Sequence, residues 1–389
     1  MELFTDDVSF IEKQINYLKE QIHHGYNLED KSSIIYSLQV LDCISYCLTN
    51  KTNLTKKTCR NKDIVIKVNT RDRKMHNKNL DNFIENKDEH LSLVNCVFND
   101  NKDICIPILD EYLEEEFLSD EEMYEIMSDY FLSANDMIGY ETLKKTVEEN
   151  KMYMLELDNF SCSGITFLNT FLNDFRVIID EATISNSIGL MTTIMHEIGH
   201  VIDYTYLRNN LVYYSTKSIF IETLSSMYEK DFLDYLIRNS IYKRKAIERI
   251  TDFYGNMYDE LNNIALSCNI PDRLLRREKY KKVTREKLYR MVSEEAELLV
   301  PLEEFPLPQS IDVLESLKYG YGEVLATYFL RLKKTDYDKY QDEFSKFMEL
   351  RTDYFPKNFL EKIGTKQNTL AQTIDEEIMD SPCKIIIKK

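Results

Sequence analysis

The stretch Ser187–Leu207 constrains the fold of this chain most strongly, because it combines a long apolar run with two histidines four residues apart. It reads S-I-G-L-M-T-T-I-M-H-E-I-G-H-V-I-D-Y-T-Y-L, and no charged residue comes before Glu197. Side chains four residues apart lie about 40° apart around a helix, so His196 and His200 can direct their nitrogens at one ion. The stretch therefore predicts a buried helix that presents two imidazoles and a carboxylate.

The pattern H-E-x-x-H is typical of zinc hydrolases, in which the two histidines bind the metal. Glu197 would then reach a water molecule on the same ion. The alternative is an amphipathic helix that carries two histidines by chance. Since the chain has only 6 histidines in 389 residues, this pairing favours the metal interpretation. Ser185, Asn186 or Ser187 can cap the start of the helix.

A catalytic zinc site needs a third protein ligand, and a carboxylate on a following helix is a common source. The stretch Ser218–Leu236 has helical periodicity and places Glu222 and Glu229 on one face, seven residues apart. We expect Glu222 to be the third ligand and Glu229 to bind a ligand imidazole N–H. Asp203 is too close in sequence to His200 to complete a good tetrahedron and is expected beside the ligands. Glu229 and Asp203 are the alternatives if Glu222 is not the ligand.

Three short β-prone runs lie just before the zinc helix, between Met152 and Asp180. They read M-Y-M-L-E-L-D, S-G-I-T-F-L and F-R-V-I-I-D, with polar turns between them. They predict a small sheet. Its edge could pair with an extended peptide by strand addition, or the strands could simply cover the helix. The sequence does not distinguish these two interpretations.

A second candidate segment contains two tyrosines beside two of the chain's 9 glycines, at Lys318-Tyr319-Gly320-Tyr321-Gly322. Glycines at these positions would permit a hinge or a close approach of the backbone to a ligand. A neutral phenol can donate a hydrogen bond to the oxyanion of a tetrahedral intermediate. Tyr319 and Tyr321 are therefore both candidates for this role, although both could be ordinary tyrosines among the chain's 26.

These segments resemble the thimet oligopeptidase and oligoendopeptidase F family of zinc peptidases. H-E-I-G-H, followed 22 residues after His200 by Glu222 in F-I-E-T-L-S-S-M-Y-E, is similar to the family's H-E-x-G-H and F-x-E-x-x-S-x-x-x-E. Gly199 stands at the family's glycine, and K-Y-G-Y-G resembles its tyrosine segment. The stretch that ends at Gly364 resembles its closing segment, so the resemblance covers about residues 150–364.

The resemblance implies a mainly α, two-lobed, zincin-like peptidase with a small β-sheet ahead of the zinc helix and a substrate cleft between the lobes. It implies one Zn²⁺ ion, with Glu197 as general base and a tyrosine that contacts the transition state. With the resemblance, Tyr319 is the favoured tyrosine and Tyr321 comes second. Family members are usually longer, so residues 1–105 are expected to form a shortened helical N-terminal lobe. The catalytic domain would then comprise residues 106–389. Asp203 stands where many members have a histidine.

Composition narrows the classes of partner. The net charge of −18 and the pI near 4.9 disfavour nucleic acid, which needs a basic surface. The longest apolar run, residues 34–48, is too short and too polar to span a bilayer, so no membrane is expected. The N-terminus lacks the pattern of a signal peptide, and the 8 cysteines show no disulfide framework. We expect a cytoplasmic protein; the sequence does not indicate its oligomeric state.

The scarcity of glycine and proline predicts a helix-rich chain, beginning with two helices in residues 1–50. The section Lys51–His90 is rich in Lys, Asn and Asp, and flexible connections are expected there. His76 and His90 lie in this polar section and are expected to be solvated rather than to bind metal.

The favoured function is hydrolysis of short oligopeptides by a zinc metalloendopeptidase. One alternative is a specialised zinc endopeptidase that acts on one protein or precursor peptide with the same ligands. Another is a non-catalytic peptide-binding protein on a peptidase scaffold, against which the intact Glu197 argues.

Overall fold

The computed structural model describes most of the chain, and His76 and nearly all of the polar section 51–77 lie outside the part described. The described residues are 2–22, 24, 28–51, 54–55, 78–97, 102–105, 117–158, 163–169, 171–206, 219–270, 272, 275, 283–284, 310–311, 313–351, 355, 357–382 and 384–387.

Helices dominate the described residues, as the composition predicts. In chain order they include α1 (Ser9–Gln21), α2 (Leu28–Asn50), α3 (Lys87–Val97), α4 (Asp120–Ser133), α5 (Met137–Glu148), α6 (Ser187–Tyr206), α7 (Glu222–Arg238), α8 (Lys243–Cys268), α9 (Val313–Thr335), α10 (Tyr337–Leu350), α11 (Phe359–Ile363) and α12 (Gln367–Asp380). The strands are β1 (Leu54–Thr55), β2 (Lys102–Cys105), β3 (Met152–Leu155), β4 (Leu157–Asp158), β5 (Gly164–Asn169), β6 (Asp174–Asp180), β7 (Val283–Thr284), β8 (Ser310–Ile311) and β9 (Lys384–Ile387). The prediction of a mainly α fold with a small sheet is confirmed.

The three β-prone runs form one sheet in the order β3-β6-β5, as the sequence predicts. The central strand β6 is parallel to β3 and antiparallel to β5, and all seven of its residues are buried. At the β3 side, the Thr5 N–H donates to the Met152 carbonyl at 3.1 Å. Strand β5 pairs with β6 along one side, and no described strand pairs with its other side.

The chain divides into two compact units, each built from three segments. Unit 1 comprises Met1–Asp72, Pro107–Tyr214 and Leu224–Ile250, and unit 2 comprises Arg73–Ile106, Ser215–Thr223 and Thr251–Lys389. The division passes through α7, after its second residue, and through α8. A separate N-terminal lobe over residues 1–105, a catalytic domain over 106–389 and a cleft between lobes stay predictions.

The core of unit 1 joins the first two helices to the sheet. The apolar stripes of α1 and α2 pack together and onto β3 and β6, which confirms the two N-terminal helices. This core contains Ile11, Ile15, Leu18, Ile34, Leu38, Leu41, Cys43, Ile44, Cys47, Tyr153, Leu155 and Ile178. Every residue of β5 pairs with the buried strand β6, so this core supports β5 along its length.

An aromatic cluster forms part of the core of unit 2. Phe220 stacks on Phe359 with ring centroids 4.6 Å apart, and Phe355 lies 5.7 Å from Tyr321. His90 of α3 lies inside this cluster with no exposed surface, 4.2 Å from the Phe355 ring. The expectation that His90 is solvated is wrong, because α3 turns this residue of a polar section into the aromatic core.

Across the part of the chain that the structure describes, every helix is too short or too polar to cross a bilayer. The cytoplasmic location stays a prediction.

Candidate metal centre

Helix α6 carries the two histidines and is buried along most of its length. Asn186 caps it: its side-chain oxygen accepts a hydrogen bond from the Gly189 N–H at 2.8 Å. This is one of the three caps that the sequence allows. The apolar residues of α6 are buried on several sides, whereas His196 and His200 are only partly buried. Both imidazoles can therefore be reached from outside the core.

Gly199 lets α6 and α7 approach each other closely. A Cβ atom at this position would lie 2.5 Å from the Ser225 Cα and 3.3 Å from the Leu224 carbonyl oxygen, which no side chain tolerates. The glycine in H-E-I-G-H is therefore explained by the crossing of two helix backbones. The close crossing brings the first turns of α7 towards the histidines of α6.

The predicted ligands come together in the structure. Donor atoms of His196, His200 and Glu222 all lie within 4.8 Å of one another, and this is the one such group of three or more potential ligands within the described ranges. Glu222 is the first residue of α7 and is 8% exposed. In a tetrahedral zinc site with bonds of about 2.1 Å, neighbouring donors are about 3.4 Å apart, so a small inward movement of these side chains would complete the site. Two imidazoles and one carboxylate match the donors of a catalytic zinc centre.

Glu229 lies where the sequence predicts a partner for a ligand histidine. Its Oε2 atom is 2.8 Å from the Nδ1 atom of His196. A carboxylate at this distance favours the tautomer that carries the proton on Nδ1, which leaves the Nε2 lone pair for a metal. Ion-pair strength would be modest because the Glu229 side chain is 27% exposed, so its main effect is on tautomer and ring orientation.

Asp203 lies one turn after His200 on α6 and is 3% exposed. It is not a member of the group of donors formed by the two histidines and Glu222. Its predicted place beside the ligands stays a prediction.

The carboxylate of Glu197 is held by strand β5, a contact that sequence reasoning missed. The Thr166 hydroxyl lies 2.7 Å from Glu197 Oε2 and 3.0 Å from the Glu197 carbonyl oxygen. A Cβ atom at Gly164 would lie 2.8 Å from Glu197 Oε1. The strand alternation places Gly164 and Thr166 on one face of β5, which is the only sign of this contact in the sequence.

The tyrosine-glycine segment lies in the interior of α9 and contains no hinge. A Cβ atom at Gly322 would lie 2.7 Å from the Glu222 Cβ and 3.0 Å from its carbonyl carbon. Gly320 similarly permits close contact with α8, because a Cβ atom at Gly320 would lie 3.3 Å from the Glu260 Cβ. The predicted close approach of the backbone is thus found, and it serves helix packing at the residue that could bind metal. Tyr319, partly buried, lies three residues before Gly322 and so neighbours it on the helix surface.

The position of Tyr321 does not fit the expected role of contacting an oxyanion. It is 1% exposed, and its hydroxyl oxygen lies 2.6 Å from the Nδ1 atom of His90. Burial raises the pKa of Tyr321 well above its usual value, so the phenol stays neutral. Its hydroxyl is already engaged inside the aromatic cluster, and we therefore retain only Tyr319 as a candidate donor.

Comparison with known proteins finds similarity in solved structures alone: no family model and no curated protein matches the sequence. A "putative peptidase from Chlamydophila abortus" is 13% identical, over 97% of this chain and 64% of that chain, with a TM-score of 0.41. A "putative oligoendopeptidase F from Bacillus anthracis str. Ames" is 10% identical, over 94% and 64%, with a TM-score of 0.42. A further "putative oligoendopeptidase F" is 10% identical, over 96% and 68%, with a TM-score of 0.39. The chain thus spans 64% of the first two proteins, and two of the three carry the name of the family that the sequence motifs resemble.

Proposed function

We propose that this protein is a zinc metalloendopeptidase that hydrolyses short oligopeptides. The observation that carries the proposal is the convergence of His196, His200 and Glu222, which approach one another within 4.8 Å. Glu197, beside His196 on α6, adds a carboxylate of the type that serves as general base in such sites. Both sets of residues belong to the motifs that resemble the oligoendopeptidase F family.

A zinc ion bound by these three residues would lower the pKa of water and polarise a substrate carbonyl. Glu197 would accept a proton from the attacking water and deliver it to the nitrogen of the leaving amine. Tyr319 would donate its hydroxyl proton in a hydrogen bond to the developing oxyanion. Glu229 would keep His196 in the tautomer and orientation that binding requires.

Strand β5 supports a peptide as the substrate. Its side away from β6 pairs with no described strand, and its residue Thr166 contacts Glu197. An extended peptide added to that edge would form main-chain hydrogen bonds that do not depend on its side chains. Such a peptide would pass beside the proposed base, which suits an enzyme with many short substrates.

The test combines metal analysis with cleavage of a panel of short fluorogenic peptides. We expect about one zinc per chain in the wild type, bound by His196, His200 and Glu222. Glu197→Gln should keep the zinc and lose about 10²–10⁴-fold in kcat, because the amide cannot accept the proton. Glu121→Gln, an exposed residue of α4, is the matched control and should behave as wild type.

Retention of full activity by Glu197→Gln with zinc still bound would refute the assignment of the base. Cleavage of one protein but no short peptide would favour a specialised endopeptidase. A wild type that binds zinc and cleaves nothing would favour a peptide-binding protein instead.

A further inference from the structure

We infer that Thr166 is a positioning residue for Glu197, so that the edge strand β5 sets the orientation of the proposed base. The inference rests on the proposed peptidase function and assigns a role to a residue outside the zinc motifs. Thr166 lies 31 residues before Glu197 in the chain, on a different element of secondary structure.

The Thr166 hydroxyl lies within hydrogen-bonding distance of two oxygens of Glu197. A hydroxyl carries one proton, and two acceptors of Glu197 lie within reach, at 2.7 Å for Oε2 and 3.0 Å for the carbonyl oxygen. The shorter contact is to the side-chain oxygen, at a length that is usual for an O–H···O hydrogen bond. The hydroxyl therefore fixes one carboxylate oxygen, while the nearby carbonyl keeps Thr166 aligned with α6.

Gly164 lies against the other oxygen of the same carboxylate. Its missing Cβ would lie 2.8 Å from Oε1 and 2.9 Å from Cγ of Glu197, so the side chain rests against the bare backbone of β5. Glu197 is only 4% exposed as a result. One oxygen is thus hydrogen-bonded and the other packs against the backbone of β5, and the two contacts together restrict the orientation of the carboxylate.

A fixed carboxylate matters because a glutamate side chain has several rotatable bonds. A general base must stay within hydrogen-bonding reach of the proton it removes, and a displacement of about 1 Å can cost about 10²-fold in rate. Thr166 is suited to hold it because a β-branched side chain in a strand has a restricted χ1 angle. The loss of this hydroxyl would free the base without touching the residues that could bind metal.

The plainer interpretation is that Thr166 is a partly buried hydroxyl that only stabilises the packing of β5 on α6. That role would change stability, zinc content and activity together. A positioning role would lower kcat alone and would be restored by any side chain that returns the hydroxyl. The two interpretations can therefore be separated by a pair of substitutions.

The experiment uses the full-length, zinc-loaded protein and the peptide substrates that the wild type cleaves. Thr166→Val keeps the shape and removes the donor; kcat should fall about 10–100-fold with KM within about twofold. Thr166→Ser returns the hydroxyl and should stay within about threefold of the wild-type kcat. Zinc content, measured by elemental analysis, should be equal in all three. In crystals of metal-free Thr166→Val, the Glu197 side chain should occupy more than one rotamer.

The matched control is Thr146→Val. Thr146 is fully buried in α5, and its hydroxyl donates to the Thr142 carbonyl at 2.7 Å, so the change removes a comparable hydroxyl away from the candidate site. Its kcat should equal that of the wild type. Should Thr166→Val not fold, Gly164→Ala tests the same carboxylate by displacing it with one methyl group and should show the same loss of kcat with zinc retained.

Several outcomes would overturn the inference. If Thr166→Val, or Gly164→Ala where that variant is used, keeps the wild-type kcat, then Thr166 does not position Glu197. A loss of zinc in proportion to the loss of activity, or no recovery in Thr166→Ser, assigns Thr166 to packing. A zinc-loaded wild type that cleaves no peptide overturns the proposed function, and this inference falls with it.

Discussion

His196 and His90 each place Nδ1 close to a side-chain oxygen, yet their surroundings differ completely. His196 lies 2.8 Å from the Glu229 carboxylate and is partly exposed beside two other potential metal ligands. His90 lies 2.6 Å from the Tyr321 hydroxyl, inside an aromatic cluster, with no exposed surface. Its Nε2 atom has no hydrogen-bond partner in the described part of the chain.

The difference shows that the partner of a histidine decides what the second ring nitrogen can do. A carboxylate at Nδ1 of His196 favours the tautomer whose Nε2 lone pair can bind a metal. A phenol on Nδ1 and aromatic rings around Nε2 make His90 a neutral core residue: burial lowers its pKa to about 3 from the usual 6.5. Three predictions test this contrast.

The largest expected effect comes from replacing one histidine in each environment by another residue. His200→Ala should lose its zinc and its peptidase activity, because two ligands do not hold the ion at a catalytic site. His90→Phe should keep both, since a ring of similar size fills its place in the cluster. Elemental analysis and peptide cleavage measure both variants. Zinc retained at the wild-type level by His200→Ala, or lost by His90→Phe, would break the comparison.

A smaller effect is expected when each histidine loses its Nδ1 partner. Glu229→Gln should weaken zinc binding about 10–100-fold, since the amide holds the imidazole N–H less strongly than the carboxylate. Competition with a chromophoric chelator measures the zinc Kd.

Tyr321→Phe is the matched change in the other environment. It should leave the zinc Kd as in the wild type and lower the free energy of unfolding by about 1–3 kcal/mol, because a buried imidazole nitrogen loses its partner. Denaturation in urea, monitored by circular dichroism, gives the unfolding free energies.

An unchanged zinc Kd in Glu229→Gln would mean that Glu229 does not act through His196.

The smallest effect is a pH dependence that belongs to His90 alone. Its pKa is depressed in the folded protein, so its contribution to stability is complete above pH 6.5 and is lost as the pH falls towards about 3. In that window the unfolded chain binds a proton that the folded chain does not. Between pH 6 and 5, the wild type should therefore lose about 1 kcal/mol more than His90→Phe.

Urea denaturation of metal-free wild type and His90→Phe at pH 7, 6 and 5 checks this slope. The metal-free form keeps zinc release out of the comparison. Equal slopes for the two proteins would show that His90 takes up its proton without unfolding, and the aromatic cluster would then be more open to water than its packing indicates.

The candidate site was predicted from the sequence in its main parts because its signals are local. The spacing of His196 and His200 follows from the helical repeat, and Glu222 was found by its position on the next periodic stretch. The sheet was predicted because alternating, β-branched runs with polar turns have few other ways to fold. The structure brings His196, His200 and Glu222 together. It also places Glu229 beside His196, as the sequence predicts.

Contacts between elements distant in sequence were decided by tertiary structure. Helical or strand periodicity cannot link Thr166 to Glu197, which is 31 residues away, or Tyr321 to His90, which is 231 residues away. The glycines show the same limit. Gly320 and Gly322 were recognised as unusual, but only the packing of α9 shows that they let backbones approach and do not form a hinge.

The sequence by itself therefore determined which helix presents the imidazoles and which acids accompany them, since those properties depend on periodicity within one element. Tertiary structure alone decided which polar side chains become core and which stay at the site. The physical reason is that burial and hydrogen-bond partners depend on what packs against an element, and local sequence does not encode this directly. Glu197 illustrates both: its place on α6 follows from the motif, and its orientation follows from β5.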